Sequence, residues 1–301
     1  MQRQWAYGLL VMSTIFWGVT FVVTKVGTAE FSPASFLAYR FLLAAVLLAV
    51  VFPQRLRRLR RSDWQAGLLI GALLFVGTWV QAVGLRWTSA SNAGFIAGLS
   101  LVFLPLFKYL VDRTPLRFKT LLSGAVALTG LASLSLKFPL QFNPGDALIL
   151  LSAVIFAWQI LLIGRHAVRE AFDPIAMTWV QLLGCGLLSA TYALVAEGGL
   201  SVPQQPEVWQ AIAFTGVLCT AVSYSCQNFT QQYLDEQQVA LIFLLEPIFS
   251  CVAAILFLHE PMSAALVVGG CLILVAIAIS ELPWTQWRYT VFKNVRKEVS
   301  P

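Results

Sequence analysis

Apolar runs, each long enough to cross a membrane once, follow one another along this chain of 301 residues. A helix of about 20 apolar residues spans a bilayer. Such runs begin at Ala6, Pro33, Trp64, Ser89, Leu116, Gly145, Pro174, Trp209, Val239 and Met262. The pattern predicts an all-α polytopic membrane protein with ten transmembrane helices. Because another span follows the first run at once, we interpret that run as a retained span and not as a signal peptide.

The composition supports a membrane protein, because 58% of the residues are hydrophobic and only 11% are charged. That leaves too few polar residues to cover a water-soluble globule of this size. The formal net charge of +6 does not gather on one face, so it does not indicate a nucleic-acid partner.

The basic residues instead mark the topology. They lie in short segments between apolar runs, at Arg3, Arg55–Arg61, Arg113–Lys119, Arg165–Arg169 and Arg288–Lys297. With an even number of spans these segments share one side of the membrane, which the positive-inside rule makes cytoplasmic. We therefore predict a multi-pass protein of the bacterial cytoplasmic (inner) membrane with both termini in the cytoplasm.

The two halves of the chain resemble each other weakly but in order. At an offset of 141 positions Trp17 matches Trp158, and at 146 positions Arg113–Pro115 matches His259–Pro261. We predict a first five-helix repeat over residues 1–137, a second over residues 138–284 and a basic cytoplasmic tail over residues 285–301. Because each repeat has an odd number of spans, the two enter the membrane in opposite directions. Inverted repeats place a substrate site near the membrane midplane.

A carboxylate lies deep in one of the predicted spans. We interpret the run Gln237–Pro261 as a single helix with Glu246 near its middle and Pro247 next to it. An ionised acid in hydrocarbon costs several kcal/mol, so such residues face a bundle interior or a watery cavity. Proline also frees the carbonyl of Phe243, one turn back. Glu246 therefore either lines a cavity or pairs with a neighbouring helix in a purely structural role.

Polar stripes on other spans favour the cavity. At helical spacing, span seven presents Thr178 and Gln181, and span eight presents Tyr224 and Gln227. Lipid offers these groups no partner, so they turn inward, either toward other helices or toward water. Any one stripe is explained by contact between helices. Several stripes together with Glu246 predict a central cavity.

Two cations and two tryptophans also lie within or at the ends of spans. Arg40 is about two turns into span two, deep enough to receive an anionic group or a carboxylate. Lys25 closes span one, and we interpret it as extending to the membrane surface. Trp17 and Trp158 lie inside spans, where they either stack on a ligand or fill space between helices.

Motifs for enzymatic chemistry are absent from the sequence. No GxxxxGK[ST] run appears, and His259–Glu260 lacks the second histidine of a zinc protease motif. The five cysteines show no CxxC pair. We predict no enzyme activity and no metal or cofactor.

Five segments carry a resemblance to a known family: Trp17–Lys25, Pro33–Arg40, Thr88–Phe95, Leu245–Pro247 and His259–Pro261. They resemble the drug/metabolite transporter superfamily, in particular its proteins with two EamA-like domains. The resemblance covers Ala6 to Glu281 and implies ten helices around a central cavity between inverted halves. It also implies movement of amino acids, related metabolites or drugs, frequently outward, with a proton as the coupling ion.

The chain departs from the family pattern at one corner. Asp112–Arg113 stand where the family's glycine–glutamate pair would end span four, and His259 stands where the second-half glycine would be. These departures leave the role of Glu260 open.

We predict a secondary-active transporter that exports small organic solutes by alternating access. The predicted substrate-binding residues are Glu246, Arg40, Trp17, Trp158, Gln181, Tyr224, Gln227 and Asn92. Glu246 would orient the substrate or carry a proton, and Arg40 would face an anionic group. The expected partners are a small-molecule substrate and membrane lipid, with the protein a monomer or a homodimer. The alternative is a lipid scramblase or another membrane protein that does not transport.

Overall fold

The computed structural model describes residues 2–57, 59–113, 118–137, 141–167, 173–234, 239, 242–243 and 245–281. The predicted basic tail at 285–301, together with Arg58, Arg117 and Arg169, lies outside these residues. So does the Thr114–Pro115 part of the predicted repeat match.

The described elements are almost all helices. In chain order they are α1 (Gln2–Gly27), α2 (Pro33–Val51), α3 (Pro53–Leu56), α4 (Arg61–Gly84), α5 (Ala90–Ala97), α6 (Ser100–Asp112), α7 (Phe118–Ser135), α8 (Pro144–Ala167), α9 (Pro174–Ala196), α10 (Pro206–Phe214), a π-helix (Thr215–Val222), α11 (Ser223–Thr230), α12 (Glu246–Leu258) and α13 (Ala264–Glu281). One antiparallel pair of two-residue strands, β1 (Leu136–Lys137) and β2 (Gln141–Phe142), lies between α7 and α8. The all-α prediction is correct for the rest of the described elements.

Within the described residues, seven helical segments are long and apolar enough to cross a membrane: Gln4–Gly27, Pro33–Val51, Arg61–Gly84, Ala90–Val111, Pro144–Ala167, Pro174–Ala196 and Pro206–Thr230. Three shorter apolar helical segments follow the same composition, at Leu121–Ser133, Glu246–Leu258 and Ala264–Ala276. The described part of the chain is therefore a helical membrane protein.

Local sequence signals explain where several helices begin. Pro33 opens α2 and Pro174 opens α9, the two residues at which the apolar pattern placed the starts of those spans. Proline suits the first helical position because its missing N–H has no partner there in any case. The side chains of Ser32 and Asp173 accept hydrogen bonds from free N–H groups of the first turn, which stabilises both ends.

The interpretation of Gln237–Pro261 as one continuous helix is wrong. Helix α12 begins at Glu246 with Pro247 in its first turn, and it ends at Leu258. Proline lacks the N–H that would continue the hydrogen-bond ladder, and it suits the first turn of a helix, where that N–H has no partner in any case. Glu246 is thus at the start of a helix and not at the middle of one. Gln237 itself lies outside the described residues.

Span eight contains a change of helix type. The chain passes from α10 into an eight-residue π-helix and then into α11. The bond from the Ser223 hydroxyl to the Leu218 carbonyl, five residues back, follows the wider spacing of this segment. π-Helical turns are rare and occur frequently at functional sites.

Besides a small buried cluster of Ala66, Ile70, Ile163 and Met177, two large apolar clusters fill the bundle. One lies mainly among α1, α5, α6, α8 and α12, and the other among α2, α4, α9, α10 and α11. The Trp17 ring packs against both clusters. The boundary between the clusters is where the polar side chains of the next section lie.

Candidate functional site

A cavity of about 80 Å³ lies between the two apolar clusters. It is lined by Trp17, Thr20, Phe21, Arg40, Thr78, Gln81, Ala97, Ser100, Phe156, Gln159, Ile160, Tyr224, Gln227, Phe243 and Glu246. These residues come from both halves of the chain. A polar cavity of this size has room for several water molecules.

Five of the eight residues predicted as substrate-binding lie around this cavity: Glu246, Arg40, Trp17, Tyr224 and Gln227. They are spread over more than two hundred positions of sequence, on α1, α2, α11 and α12. Folding therefore brings them together at one place. Their role in binding a substrate stays a prediction.

The other three predicted residues lie elsewhere. The Trp158 ring packs edge-on against Phe107 with ring centroids 5.1 Å apart. Gln181 is fully buried between α9 and α11, where Asn228 donates to it over 3.4 Å. Asn92 is partly buried in the first turn of α5, and its backbone N–H donates to the Ser89 hydroxyl. None of the three lines the cavity.

Arg40 is buried, with only 4% of its surface exposed. Its Nε donates a hydrogen bond to the Thr220 hydroxyl in the π-helix over 2.7 Å. The guanidinium carbon also lies 5.2 Å from the ring centroid of Phe41, a distance at which cations and aromatic faces attract. These contacts fix the side chain while its charge remains at the cavity wall.

Glu246 is the carboxylate of the same cavity, and its position at the start of α12 places it in the positive field of that helix. No salt bridge joins Glu246 to Arg40; among the described residues the salt bridge observed is the surface pair Arg55–Asp173. A charge removed from bulk water is costly unless it is compensated, and these two groups do not compensate each other through a salt bridge, so the cavity is suited to water or a polar solute.

The π-helix also contacts the helix that supplies Trp17 to the cavity wall. Trp17 Nε1 donates to the Cys219 carbonyl over 3.0 Å, and the Cys219 thiol lies 3.3 Å from the Phe16 carbonyl. The Trp17 ring contacts the rings of Tyr224 and Phe243, each with centroids 5.3 Å apart. One short π-helical segment thus orients both Trp17 and Arg40, which belong to different helices.

Sequence reasoning missed Gln159, which lines the cavity from α8. Neighbouring residues on a helix point about 100° apart, so Gln159 faces the cavity where Trp158 does not. A lone glutamine in the apolar run 153–163 was the signal that could have found it. Gln159 Nε2 and Gln227 Oε1 are buried without a hydrogen-bond partner. Buried polar atoms in proteins are nearly always satisfied, which points again to water or a solute here.

Lys25 does not extend to the membrane surface as interpreted from its place at a span end. Its ammonium donates to the carbonyl oxygen of Leu85 over 3.0 Å and to that of Thr88. The Thr88 hydroxyl in turn donates to the buried Asp146 carboxylate. Backbone carbonyls just after α4 have no partner within a helix, so they accept hydrogen bonds from the Lys25 ammonium. Lys25 therefore binds these carbonyls instead of reaching water.

The corner that departs from the family pattern has a regular geometry. Arg113 after α6 and His259 after α12 are both left-handed, with φ of 55° and 51°. Left-handed backbone is the conformation that favours glycine, so Arg113, and not Asp112, is the counterpart of His259. Glu260, whose role was open, accepts hydrogen bonds at the start of α5 from the N–H groups of Ala90 and Ser91.

The fold and the cavity define a helical membrane protein with a polar interior, and the comparisons give its family. The chain belongs to the EamA-like transporter family, whose model matches residues 4–136 and again residues 143–282. An uncharacterized transporter of Archaeoglobus fulgidus is 29% identical over 273 residues, which covers 91% of this chain and 84% of that protein. The uncharacterized transporter YyaM of Bacillus subtilis is 24% identical over 282 residues, with 90% and 92% covered.

One solved crystal structure shares the fold. It superposes with a TM-score of 0.67 over 90% of this chain and 95% of its own, at 18% sequence identity. The family and the named relatives indicate a transporter and not an enzyme.

Proposed function

We propose that this protein is a secondary-active transporter that exports small organic solutes through the Arg40–Glu246 cavity by alternating access. The observation that carries the proposal is that these two charges, one from each half of the chain, line one cavity with no salt bridge between them. A solute with polar or charged groups would pair with both side chains from within the cavity. Amino acids, related metabolites and drugs, the solutes that the family resemblance implies, have such groups.

In this proposal the domains are a repeat at 1–137 and an inverted repeat at 138–284. The family model matches once within each range. The seven longer and three shorter apolar helical segments divide equally between the two ranges, five to each. An odd number of crossings per repeat reverses the direction of the second repeat relative to the first.

Helix packing supports the same division. In the two proposed repeats, α1 corresponds to α8, α2 to α9, α4 to span eight, α5–α6 to α12, and α7 to α13. The observed neighbours keep their pattern under this exchange: α1 packs on α12 as α8 packs on α6, and α4 packs on α9 as the π-helix packs on α2. The pairs α2–α9, α5–α12 and α7–α13 join counterparts directly.

The orientation follows from the charges. Arg55, Arg57, Arg60 and Arg61 lie between α2 and α4, and the positive-inside rule assigns that end of the bundle to the cytoplasm. In this proposal the membrane is the cytoplasmic (inner) membrane of a bacterium. Under this orientation α5 begins at the outer end of the bundle.

The roles of the cavity residues follow from their chemistry. The Arg40 guanidinium receives an anionic group of the solute, because guanidinium–carboxylate pairs combine charge with matched hydrogen bonds. Glu246 orients a cationic group of the solute or carries a proton. Trp17 and Tyr224 contact its apolar part. The pair of unsatisfied amide atoms on Gln159 and Gln227 adds one donor and one acceptor.

The test begins with a ligand. The purified protein is screened by thermal shift against a metabolite library, because a ligand that binds the folded state raises apparent stability by mass action. Ligands found in this way are then assayed for counterflow in proteoliposomes. We expect Glu246→Gln to abolish counterflow, while Glu207→Gln, which alters an exposed carboxylate at the start of α10, leaves it unchanged. Full transport by Glu246→Gln with unchanged pH dependence would refute the role of Glu246.

A lipid scramblase is the alternative, and it requires a polar groove open to lipid. A groove of about 380 Å³ between α1 and α10 is lined mainly by apolar side chains, among them Val19, Val22, Val23, Val26 and Phe214. Its polar lining consists of Glu207 and Gln210, whereas a polar path for lipid headgroups needs a groove lined mainly by polar groups, which favours the transporter. A lipid-flipping assay on the same proteoliposomes is expected to show no activity above that of protein-free vesicles.

A further inference from the structure

Helices α5 and α12 belong to opposite halves of the chain and pack side by side between the cavity and one end of the bundle. Ala97 at the end of α5 and Glu246 at the start of α12 both line the cavity. One turn further from the cavity, Gly94 lies so close to Ser250 that a Cβ atom at position 94 would overlap the serine side chain. This contact leaves no space for water between the two helices at that level.

Helix α1 closes the same level from a third side. A Cβ atom at Gly18 would lie 2.8 Å from the backbone nitrogen of Ser250. Glycine at positions 18 and 94 therefore permits three helices to meet around Ser250. The Ser250 hydroxyl is fully buried and donates to the Ala90 carbonyl over 2.9 Å.

We call the close contact between Gly94 and Ser250 the seal. Glu260 binds α5 further from the cavity than this seal. Its carboxylate accepts hydrogen bonds from the N–H of Ala90 over 2.7 Å, the N–H of Ser91 over 3.1 Å and the Ser91 hydroxyl over 2.7 Å. Hydrogen bonds to an ionised carboxylate are roughly twice as strong as neutral ones, and the start of a helix attracts negative charge.

The bonds from Glu260 are more than a local helix cap. Helix α5 already has a cap of its own, because the Ser89 side chain accepts the N–H of Asn92. Glu260 comes from the opposite half of the chain, 170 positions away from Ala90. Its bonds therefore satisfy two further N–H groups of the first turn and, at the same time, connect the two halves of the chain.

The segment that leads into α5 is braced from both halves as well. Lys25 of the first half donates to the carbonyls of Leu85 and Thr88. From the second half, the buried Asp146 carboxylate accepts from the Thr88 hydroxyl, and the Asn143 amide donates to the Trp87 carbonyl over 3.0 Å. These bonds fix the position of the start of α5, to which Glu260 is hydrogen-bonded.

We propose that Glu260, Ser91 and Ser250 form a gate that closes the cavity at the end of the bundle opposite the Arg55–Arg61 segment. Along α5, Ala97 lines the cavity and Gly94 forms the seal. The hydrogen bonds of Glu260 to Ala90 and Ser91, which we call the latch, lie furthest from the cavity. Opening toward that end requires α12 to move away from α5, which breaks the bonds of Glu260 and Ser250 together. The gate rests on the proposed function, because alternating access needs one end closed while the other is open.

The test measures access to the cavity and needs no substrate. Ala97→Cys places a thiol at the cavity wall, and a membrane-impermeant sulfonated maleimide is added to intact cells. Mass spectrometry of the peptide that contains position 97 measures labelling, so the native cysteines do not interfere. Loss of bonds to a charged carboxylate shifts a two-state equilibrium by about tenfold or more. We expect Glu260→Gln to speed labelling by that factor, and Ser250→Ala to speed it by less.

The matched control is Glu207→Gln, which removes an exposed carboxylate from the same end of the bundle and is expected to leave labelling unchanged. Ser91→Ala should change the labelling rate less in the Glu260→Gln background than it does in the parent, because both substitutions remove the same hydrogen bond. Equal labelling rates in the parent and in Glu260→Gln would overturn the gate. Counterflow by the parent would then still support the proposed transport, so the two ideas fail separately.

A second measurement does not depend on weakening the fold. With cysteines at positions 91 and 260, a short bifunctional methanethiosulfonate joins the two sides of the latch. We expect the joined protein to lose both external labelling at position 97 and transport, and to recover them on reduction. Transport that continues at full rate with the latch joined would overturn the proposal.

Discussion

Adjacent polar side chains on α11 belong to two groups that have different surroundings. Tyr224 and Gln227 on α11 line the cavity, whereas Asn228, the next residue, faces α9. There Asn228 donates to the Thr178 hydroxyl over 2.8 Å and to Gln181 over 3.4 Å, and all three are fully buried. The first group borders the cavity, and the second joins α11 to α9, with Asn228 Oδ1 and Gln181 Nε2 left without a hydrogen-bond partner.

The difference shows that a polar stripe on a membrane helix has two possible destinations. One stripe of span eight supplies both a cavity wall and a helix contact, because one residue of rotation separates them. Mutations in the first group should change transport, and mutations in the second should change stability. The following experiments test that division.

Among the three tests that follow, Arg40→Met is expected to have the largest effect. The change keeps a side chain of similar length and removes the charge that faces the cavity. A hydrogen bond to a charged group contributes up to about 3 kcal/mol, which corresponds to roughly a 100-fold loss of transport. Counterflow in proteoliposomes measures the loss, with thermal unfolding as the check on stability. If Arg40→Met transported like the parent, the cavity would not be the site of anion recognition.

Thr220→Val should have an intermediate effect, because Thr220 acts through Arg40. Valine has nearly the shape of threonine but cannot accept the bond from Arg40 Nε. We expect the apparent affinity for an anionic solute to fall by about tenfold, with a smaller change in the maximum rate. Thr220→Ser, which retains the hydroxyl, should restore the affinity. Equal behaviour of the valine and serine variants would show that Thr220 only fills space.

Gln227→Leu and Asn228→Leu should have the smallest effects, and they provide the sharpest comparison because the residues are adjacent. Asn228→Leu removes an interhelical hydrogen bond, which in membranes contributes about 1 kcal/mol, so the unfolding temperature should fall while transport per folded molecule is kept. Gln227→Leu removes an amide whose Oε1 has no partner, so stability should hold or rise while transport falls. The reverse assignment of the two effects would contradict the division.

Several parts of the fold could be predicted from the sequence because they depend on local patterns. Lengths of apolar runs determine which segments cross a membrane, and prolines mark where α2 and α9 begin. Arg113 and His259, which match in sequence at an offset of 146 positions, both have a left-handed backbone, the first after α6 and the second after α12. The break before α12 was missed, since the apolar pattern continues through it while the proline interrupts only the hydrogen-bond ladder.

The candidate site was harder to predict, because its members come from different helices. Glu246 and Arg40 were found by their charge, since an ionised group inside a span needs a reason to be there. Trp158 was chosen because it lies inside a span, yet it packs on Phe107 and its neighbour Gln159 lines the cavity. The π-helix in span eight has no simple sequence signature, and it sets the direction of the residues that follow it.

The sequence by itself determined that this chain is a helical membrane protein of the EamA-like transporter family with charges deep in its spans. The reason is that the cost of polar groups in hydrocarbon acts on each segment separately and leaves its mark on the composition. Only the tertiary structure decided which polar faces meet water, which meet another helix, and that Glu260 reaches across to α5. Those outcomes depend on helix rotation and on contacts between distant segments, which no local pattern encodes.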